Sequence, residues 1–198
     1  MQFKNTIAGL ACLLVAAPFA SATTLKQMNL ADLSGRAGRV FRGTVVAIDR
    51  STVAAGGGEL PIVTYRLRVT DALKGDFAAE GGATYAEVRM VDVEPSGEHQ
   101  AGVRRVSIFR DVPRLQKGRE YLLFTTTPSR IGLSTTVGLG QGAFRIEGQG
   151  DRATAVNEFG NAGLFNRMTP PGALSARPAG GPVAYSDIAA RVRGLVGQ

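Results

Sequence analysis

Alternation of apolar and polar residues is the strongest pattern along this chain, and it predicts β-strands. Between positions 63 and 70 every second residue is apolar, and the residues between them are Thr or Arg. This period of two is typical of a strand with one buried face. The same period recurs at 86–90, and β-branched or apolar residues are dense at 39–49 and 103–109. Shorter strands are predicted at 135–137 and 143–146.

Residues 120–125 (EYLLFT) carry apolar residues toward both faces, which predicts a central strand covered on both sides. Gly43 lies in the middle of the strand predicted at 39–49 and indicates a bulge or a tight bend there. Residues 51–60 include three consecutive glycines and are predicted to form a mobile loop. Regular structure is expected to weaken after residue 150.

Two segments have helical rather than strand periodicity. Residues 25–37 predict a short helix with Asn29 as its N-cap. Near the C-terminus, Ser186 is a candidate N-cap. The apolar residues after it follow the spacing of one helix face: Ile188, Val192, Leu195 and Val196. A helix of about eleven residues is marginal alone, so we expect this face to dock on its own domain; capture of a partner protein is the alternative.

Five or six strands, glycines at bends and little helix predict a mostly β fold, a small closed or nearly closed barrel of the OB type. An immunoglobulin-like sandwich would need about seven evenly spaced strands, and the spacing here is uneven. The predicted domain covers residues 23–165. A Pro- and Gly-rich linker at 166–184 and the C-terminal helix at 185–198 follow it.

The first 22 residues have the organisation of a secretory signal peptide. Lys4 supplies the positive charge, residues 7–17 are apolar, and Ala20-Ser21-Ala22 is a small-x-small cleavage site. Cleavage is predicted between Ala22 and Thr23. The apolar run is shorter than the roughly 20 residues of a membrane span, so we expect a soluble periplasmic or secreted protein without a transmembrane segment.

Composition limits the chemistry that the mature chain can perform. The 198 residues include one Cys and one His, and Cys12 lies within the predicted signal peptide. A zinc site needs three or four ligands, and His99 stands alone in a polar loop. Cys–His catalysis, Ser–His–Asp catalysis, haem ligation and Fe–S ligation are not expected for the same reason, because they need Cys or His residues, of which the predicted mature chain keeps only His99. The sequence therefore predicts a non-enzyme without metal or cofactor; an unrecognised hydrolase is the least favoured alternative.

The glycine-rich segment Gly138-Leu139-Gly140-Gln141-Gly142 superficially resembles a phosphate-binding loop. Such a loop must end a strand and open a helix, so that backbone N–H groups meet the phosphate. A strand pattern follows here, at 143–146. The segment is therefore predicted to be a tight turn between strands.

Basic residues outnumber acidic ones by 23 to 16, giving a formal net charge of +7. Arg104, Arg105 and Arg110 belong to a basic cluster between positions 101 and 120, and Arg66 and Arg68 share the outward face of one predicted strand. A solvated Arg-rich surface is the first interpretation. Binding of an acidic protein or an anionic surface is the second; nucleic acid, although OB-type barrels bind it, is not expected for an exported protein.

Four short motifs point to a family. They are Leu30-Ala31-Asp32-Leu33, residues 40–46 (VFRGTVV), residues 69–75 (VTDALKG) and residues 138–146 (GLGQGAFRI). Together with the export signal, they resemble exported bacterial proteins whose barrel is similar to that of tissue inhibitors of metalloproteinases. Such proteins are often encoded near matrixin-type zinc metalloproteases. The resemblance covers about residues 25–165 and implies a barrel and a protease partner.

The resemblance also implies a mode of binding. In the animal inhibitors the first mature residue, a cysteine, places its α-amino and carbonyl groups on the protease zinc, and a disulfide holds that end. Here Thr23 followed by Thr24 would take this place, with no cysteine to anchor them. The resemblance thus implies an inhibitor or accessory factor of a co-exported metalloprotease. The alternative is an envelope-associated module that binds anionic ligands or polymers through Arg66, Arg68, Arg104, Arg105 and Arg110.

Overall fold

The structure, a computed structural model, describes residues 26–92, 112–168 and 180–197. Two α-helices and eight β-strands are formed there. In chain order they are α1 (Leu30–Arg36), β1 (Arg39–Ala55), β2 (Gly58–Lys74), β3 (Ala78–Glu80), β4 (Ala83–Val91), β5 (Glu120–Thr125), β6 (Ala143–Glu147), β7 (Thr154–Asn157), β8 (Val183–Ala184) and α2 (Tyr185–Val196). Short 3-10 helices lie at Leu139–Gly142 and Gly150–Arg152.

The strands form one antiparallel sheet in the order β3-β4-β2-β1-β5-β6-β7-β8. The prediction of a mostly β fold is therefore confirmed. The prediction of a small closed or nearly closed barrel of five or six strands is wrong for the described part of the chain, because eight strands form an open ladder with β3 and β8 as its edges. The extra strands β7 and β8 come from the region where regular structure was expected to weaken.

The predicted loop at 51–60 is instead the end of a long hairpin. β1 and β2 are 17 residues each and pair through to Ala55 and Gly58. Gly56 and Gly57 make the turn between them, with φ of 61° and 80°. Two central residues with positive φ fit the twist of a two-residue hairpin turn, so the glycines shorten the turn rather than extend a loop.

The bulge expected at Gly43 is confirmed. The register between β1 and β2 shifts between Arg42 and Gly43. A Cβ atom at Gly43 would lie 2.7 Å from the carbonyl oxygen of Arg68, so the bulge brings the two backbones too close for any side chain.

β5 is central and covered on both faces, as predicted. Its alternate residues enter two different cores. The helix-side core contains Leu122 and Phe124 with residues of β6, α1 and α2, among them Phe144, Leu30, Leu33, Ile188 and Val192. The inner core contains Tyr121 and Leu123 with residues of β1, β2 and β4, among them Phe41, Val45, Leu67, Val88 and Met90.

Residues 134–137 join β5 to β4 outside the ladder. The predicted strand at 135–137 is reduced to one isolated bridge, between Thr125 and Thr136. Hydrogen bonds nevertheless run from this segment to both sides: the Val137 N–H donates to the Phe124 carbonyl, and the Ser134 N–H donates to the Arg89 carbonyl. The segment therefore flanks the inner core between two strands that the ladder leaves apart.

Both predicted helices are present. The N-cap at Asn29 is confirmed: its side chain accepts from the Asp32 N–H at 2.8 Å, and the Asp32 carboxylate accepts from the Asn29 N–H. α2 begins two residues earlier than an N-cap at Ser186 predicts, because its N-cap is Ala184. Tyr185 starts the helix because its N–H donates to the Ala153 carbonyl at 2.9 Å.

The face of α2 docks on its own domain, as expected. Ile188 and Val192 are fully buried in the helix-side core, and Leu195 and Val196 pack against it. Within the segment predicted as linker, Val183 and Ala184 form β8 against β7, and residues 169–179 lie outside the described residues. The strand predicted at 103–109 also lies outside them. Among the described residues, no helix is long and apolar enough to cross a membrane.

Candidate functional site

Most of the residues predicted to contact a partner lie outside the described residues. These are Thr23, Thr24, Arg104, Arg105 and Arg110; Ala22, predicted only as part of the cleavage site, also lies outside the described residues. Arg66 and Arg68 are described, and both point away from the inner core on β2, between the buried side chains of that strand. The prediction that they share one face is correct.

The two arginines differ in how far their charge is compensated. The Arg66 guanidinium forms an ion pair with Glu80 and lies 4.4 Å from the centroid of the Tyr85 ring. Arg68 is exposed, opposite Thr44 on β1 and Tyr85 on β4. The exposed positive charge of this pair therefore rests mainly on Arg68.

A buried carboxamide that sequence reasoning missed holds the start of the described chain. Gln141 is 5% exposed. Its Oε1 accepts from the Met28 N–H at 2.8 Å, and its Nε2 donates to the Lys26 carbonyl at 3.0 Å. A side-chain amide offers a donor and an acceptor like those of a peptide unit. Gln141 therefore pairs with residues 26–28 as a neighbouring strand would; we call this pairing the Gln141 clamp.

The glycines around Gln141 make the clamp possible. The segment forms a 3-10 turn that leads into β6, as the predicted tight turn requires, and no α-helix follows. Gly138 has φ of 63°, and a Cβ atom there would lie 2.9 Å from the Met28 sulfur. At Gly142, a Cβ atom would lie 2.3 Å from the Val137 carbonyl oxygen. Side chains at either position would displace the turn or residue 28.

Residues 163–166 hold the same N-terminal segment from another side. The Asn29 side chain donates to the Asn166 carbonyl at 2.8 Å, and the Asn166 side chain donates to Gln27 Oε1 at 3.2 Å. The Leu30 N–H donates to the Leu164 carbonyl at 2.8 Å. The backbone of residues 26–30 is thus tied to two separate parts of the domain.

Two buried asparagines extend the clamp to the turn after β7. Asn157 Nδ2 donates to the Gln141 carbonyl at 3.1 Å. Asn157 Oδ1 accepts from the N–H groups of Phe159 and Asn161, and Asn161 Oδ1 accepts in return from the Asn157 N–H. These carboxamides are neither acids nor bases near neutral pH, so the cluster positions backbone rather than transferring protons.

A second polar cluster attaches α2 to the sheet. Asp71 Oδ2 accepts from the Tyr185 hydroxyl at 2.7 Å, and Arg193 Nη2 donates to both carboxylate oxygens of Asp71, to Oδ1 at 2.8 Å and to Oδ2 at 2.7 Å. Arg42 lies 4.5 Å from the centroid of the Tyr185 ring and forms an ion pair with Glu120 at 2.7 Å. The cluster links α2 to β1, β2 and β5.

Burial, hydrogen bonds and charge shift the pKa values of Tyr185 and Glu120 in this second cluster, and the hydrogen bond to Glu120 raises the pKa of Arg42. Burial, the hydrogen bond to Asp71 and the charge of that carboxylate raise the pKa of Tyr185 above its ordinary value. At Glu120 burial opposes ionisation, but the hydrogen bonds from Arg42 and Thr70 and the charge of Arg42 outweigh it and lower the pKa. Tyr185 is therefore held neutral and Glu120 ionised, which suits a structural network.

A groove of about 310 Å³ lies at the other end of the inner core, between Ile48, Val63 and Tyr65 and the segment 112–116. Asp92 and Val112, which flank the undescribed residues 93–111, both line it, so we assign no function to this groove. Among the described residues, no group of three His, Cys, Asp or Glu side chains could hold a metal ion.

No model of a known protein family matches this chain, and no curated protein sequence is detectably similar to it. One feature of the sequence distinguishes Gln141: it has the only polar side chain in residues 138–142, where the other residues are three glycines and one leucine. Its partners Lys26 and Met28 are more than 110 residues away in sequence, which is why local patterns could not assign its role.

Proposed function

We propose that this chain is an exported, non-enzymatic binding protein that inhibits or modulates a matrixin-type zinc metalloprotease. The Gln141 clamp is the observation that carries the proposal. It fixes residues 26–28 on the domain, three residues after Thr23, the first residue of the proposed mature chain. Three extended residues span at most about 10 Å, so the α-amino group of Thr23 would stay close to the clamp.

The chemistry of this end suits a zinc ion. An α-amino group has an ordinary pKa near 7.7–8.0, so a useful fraction is neutral at mild alkalinity and can donate its lone pair to the metal. The carbonyl oxygen of the same residue is a second ligand within reach. Thr24 would contact the protease beside it.

The clamp would also preorganise the chain end for binding. A free chain end loses conformational entropy when it binds, which weakens affinity. The inhibitors that this sequence resembles use a disulfide to avoid that loss. In this chain the Gln141 carboxamide and the Asn29–Asn166 hydrogen bond would serve the same purpose without a covalent bond.

The framework behind this end is the open antiparallel sheet. The inner core is built by β1, β2, β4 and β5, and residues 134–137 hydrogen-bond to both β4 and β5. We propose that these five segments support the chain end from the inner-core side, with β6, β7, β8 and the helices packed beside them. A rigid support of this kind would hold the chain end against a partner.

The direct test is inhibition by the purified mature protein. A preparation that begins at Thr23 is titrated into the catalytic domain of the matrixin-type zinc metalloprotease encoded nearest to its gene, and cleavage of a fluorogenic peptide is followed. We expect the protein to change the cleavage rate, and acetylation of the Thr23 α-amino group to weaken this effect at least tenfold. Unchanged activity together with no detectable complex would refute the proposal.

The non-enzymatic part of the proposal has its own test. A broad hydrolase screen of the purified mature protein is expected to find no turnover. Recovery of the protein from the cell envelope or medium with Thr23 as its first residue would support export and the proposed cleavage site. A retained N-terminal segment would contradict both.

Binding of anionic polymers through the Arg-rich face is the weaker candidate, because Glu80 already compensates the charge of Arg66. It predicts salt-sensitive retention on an anionic resin that is lost when Arg104, Arg105 and Arg110 are reversed in charge. Retention that does not depend on salt would eliminate it.

A further inference from the structure

We propose that three buried carboxamides couple two segments far apart in sequence, so that residues 26–28 are held on the domain only while residues 180–184 are docked. The carboxamides belong to Gln141, Asn157 and Asn161, and we call them the carboxamide relay. This inference goes beyond the proposed function and does not rest on it, because the coupling needs no partner. Every residue of the relay, and every backbone group that it binds, lies within the described residues.

The relay begins at the C-terminal segment, residues 180–184. Asn161 Nδ2 donates to the carbonyls of Gly181 and Ala155, each at 2.9 Å. The Gly181 N–H donates to the Gly160 carbonyl at 2.6 Å. Residue 180 also lies close to this turn, since a Cβ atom there would be 2.9 Å from the Gly160 carbonyl oxygen. Side-chain and backbone hydrogen bonds therefore both hold this segment against the turn that contains Asn161.

Asn157 joins this turn to the Gln141 clamp. Asn157 Oδ1 accepts from the Asn161 N–H at 2.8 Å, and Asn161 Oδ1 accepts from the Asn157 N–H at 2.9 Å. Asn157 Nδ2 donates to the Gln141 carbonyl at 3.1 Å. The Gln141 side chain in turn binds residues 26–28. An unbroken series of these three residues thus connects Gly181 with the N-terminal segment.

The chemistry of the carboxamide makes the relay cooperative. In all three side chains both the oxygen and the nitrogen are used, and the two atoms belong to one planar group. A side chain therefore cannot keep one partner while it turns away from the other. The three residues are at most 8% exposed, and a buried polar group without its partner is costly. We therefore expect the relay to open as a unit, so that whatever stabilises one segment stabilises the other by the same factor.

Hydrogen exchange, followed by NMR on the protein as the cell produces it, tests the coupling from both sides. The Met28 N–H reports on one segment and the Gly181 N–H on the other. Asn161→Gly suits the φ of 60° at this position and removes no hydrogen bond of Met28. We expect it to raise the exchange rate of the Met28 amide about tenfold or more. Gln141→Ala should raise the exchange rate of the Gly181 amide by a similar factor, although it removes no hydrogen bond of Gly181.

Val88→Ala is the matched control. Val88 is fully buried in the inner core, so this variant weakens the domain without touching the relay, and we expect less than a twofold change at both reporting amides. If Asn161→Gly does not fold, Asn157→Asp replaces it. That variant keeps the acceptor for the Asn161 N–H and loses the donor to the Gln141 carbonyl.

Three results would overturn the inference. The first is unchanged exchange at Met28 in the folded Asn161→Gly or Asn157→Asp variant. The second is unchanged exchange at Gly181 in Gln141→Ala, because linkage is reciprocal. The third is an equal rise at Met28 in Val88→Ala, because the segment would then open only when the whole domain unfolds. None of these results bears on the proposed function, since no protease is present in the experiment.

Discussion

One carboxamide, Gln141, holds the start of the described chain by a donor and an acceptor that lie in a single plane. Alanine at this position would leave the Met28 N–H and the Lys26 carbonyl without their partners. A buried polar group left unsatisfied costs more than the mean value of a hydrogen bond. The conformation of residues 26–28 therefore depends on this one side chain together with the glycines that admit it.

The first prediction concerns this residue. Gln141→Ala is expected to lower the free energy of unfolding by about 2–4 kcal/mol, because two hydrogen bonds and buried packing are lost. It should also make residues 23–28 sensitive to proteolysis. Urea denaturation and limited proteolysis measure the two effects. Gln149→Ala is the matched control, since Gln149 is exposed; equal stability of the two variants would disprove the structural role of the clamp.

The second prediction concerns Tyr185 and pH. Its pKa is raised in the folded protein, so its contribution to stability is complete below the ordinary tyrosine pKa near 10 and is lost as the pH rises through the folded value. The free energy of unfolding should therefore fall above about pH 10. This fall should be shallower in Tyr185→Phe than in the control variant Tyr85→Phe. Only the control keeps the hydrogen bond between Tyr185 and Asp71. Identical slopes in the two variants would contradict the assignment.

At the scale of elements, the buried face of a helix was predictable, and the distant residues that it contacts were not. The spacing of Ile188 and Val192 predicted the buried face of α2, because that pattern is local. The first residue of the helix was not predicted, because it depends on a hydrogen bond from the Tyr185 N–H to the Ala153 carbonyl, 32 residues earlier in the chain. The loop predicted at 51–60 was wrong for a related reason: two glycines with positive φ make a tight turn as readily as they make a loop.

The third prediction tests the docking of α2. Ile188 is fully buried, so Ile188→Ala should cost about 2–5 kcal/mol of unfolding free energy, as large-to-small substitutions in cores do. Leu195 only packs against the margin of the same core, and Leu195→Ala should cost clearly less. Chemical denaturation provides both values. A larger loss for Leu195→Ala would mean that the helix docks through a different face.

At the scale of the whole molecule, the class of fold was predictable and the closure of the sheet was not. Alternating residues predicted a mostly β protein, and EYLLFT predicted a strand with two covered faces. The number of strands was underestimated because β7 and β8 are only four and two residues long. Strands of this length are too short to show an alternation of apolar and polar residues. Of the candidate site, only the shared face of Arg66 and Arg68 was predicted; the clamp depends on pairings across the chain.

The fourth prediction follows from the shared helix-side core. A chain that ends after residue 182 lacks β8 and α2 and would expose the apolar face formed by Leu33, Phe124 and their neighbours. We expect it to aggregate or to lose cooperative thermal unfolding. A chain lacking only residues 197–198 should unfold as the full-length protein does. Cooperative unfolding of the shorter chain near the wild-type temperature would show that α2 is an appendage.

The long β1–β2 hairpin has a practical consequence. Residues 51–59 near its tip are largely exposed, and a side chain at Gly56 or Gly57 would meet no atom within 4 Å. The core therefore does not depend on this tip, and exposed turns of this kind accept inserted sequence. An epitope tag placed between Gly56 and Gly57 should leave the melting temperature within a few degrees, and it would provide a handle for recovering partners that leaves both chain ends free.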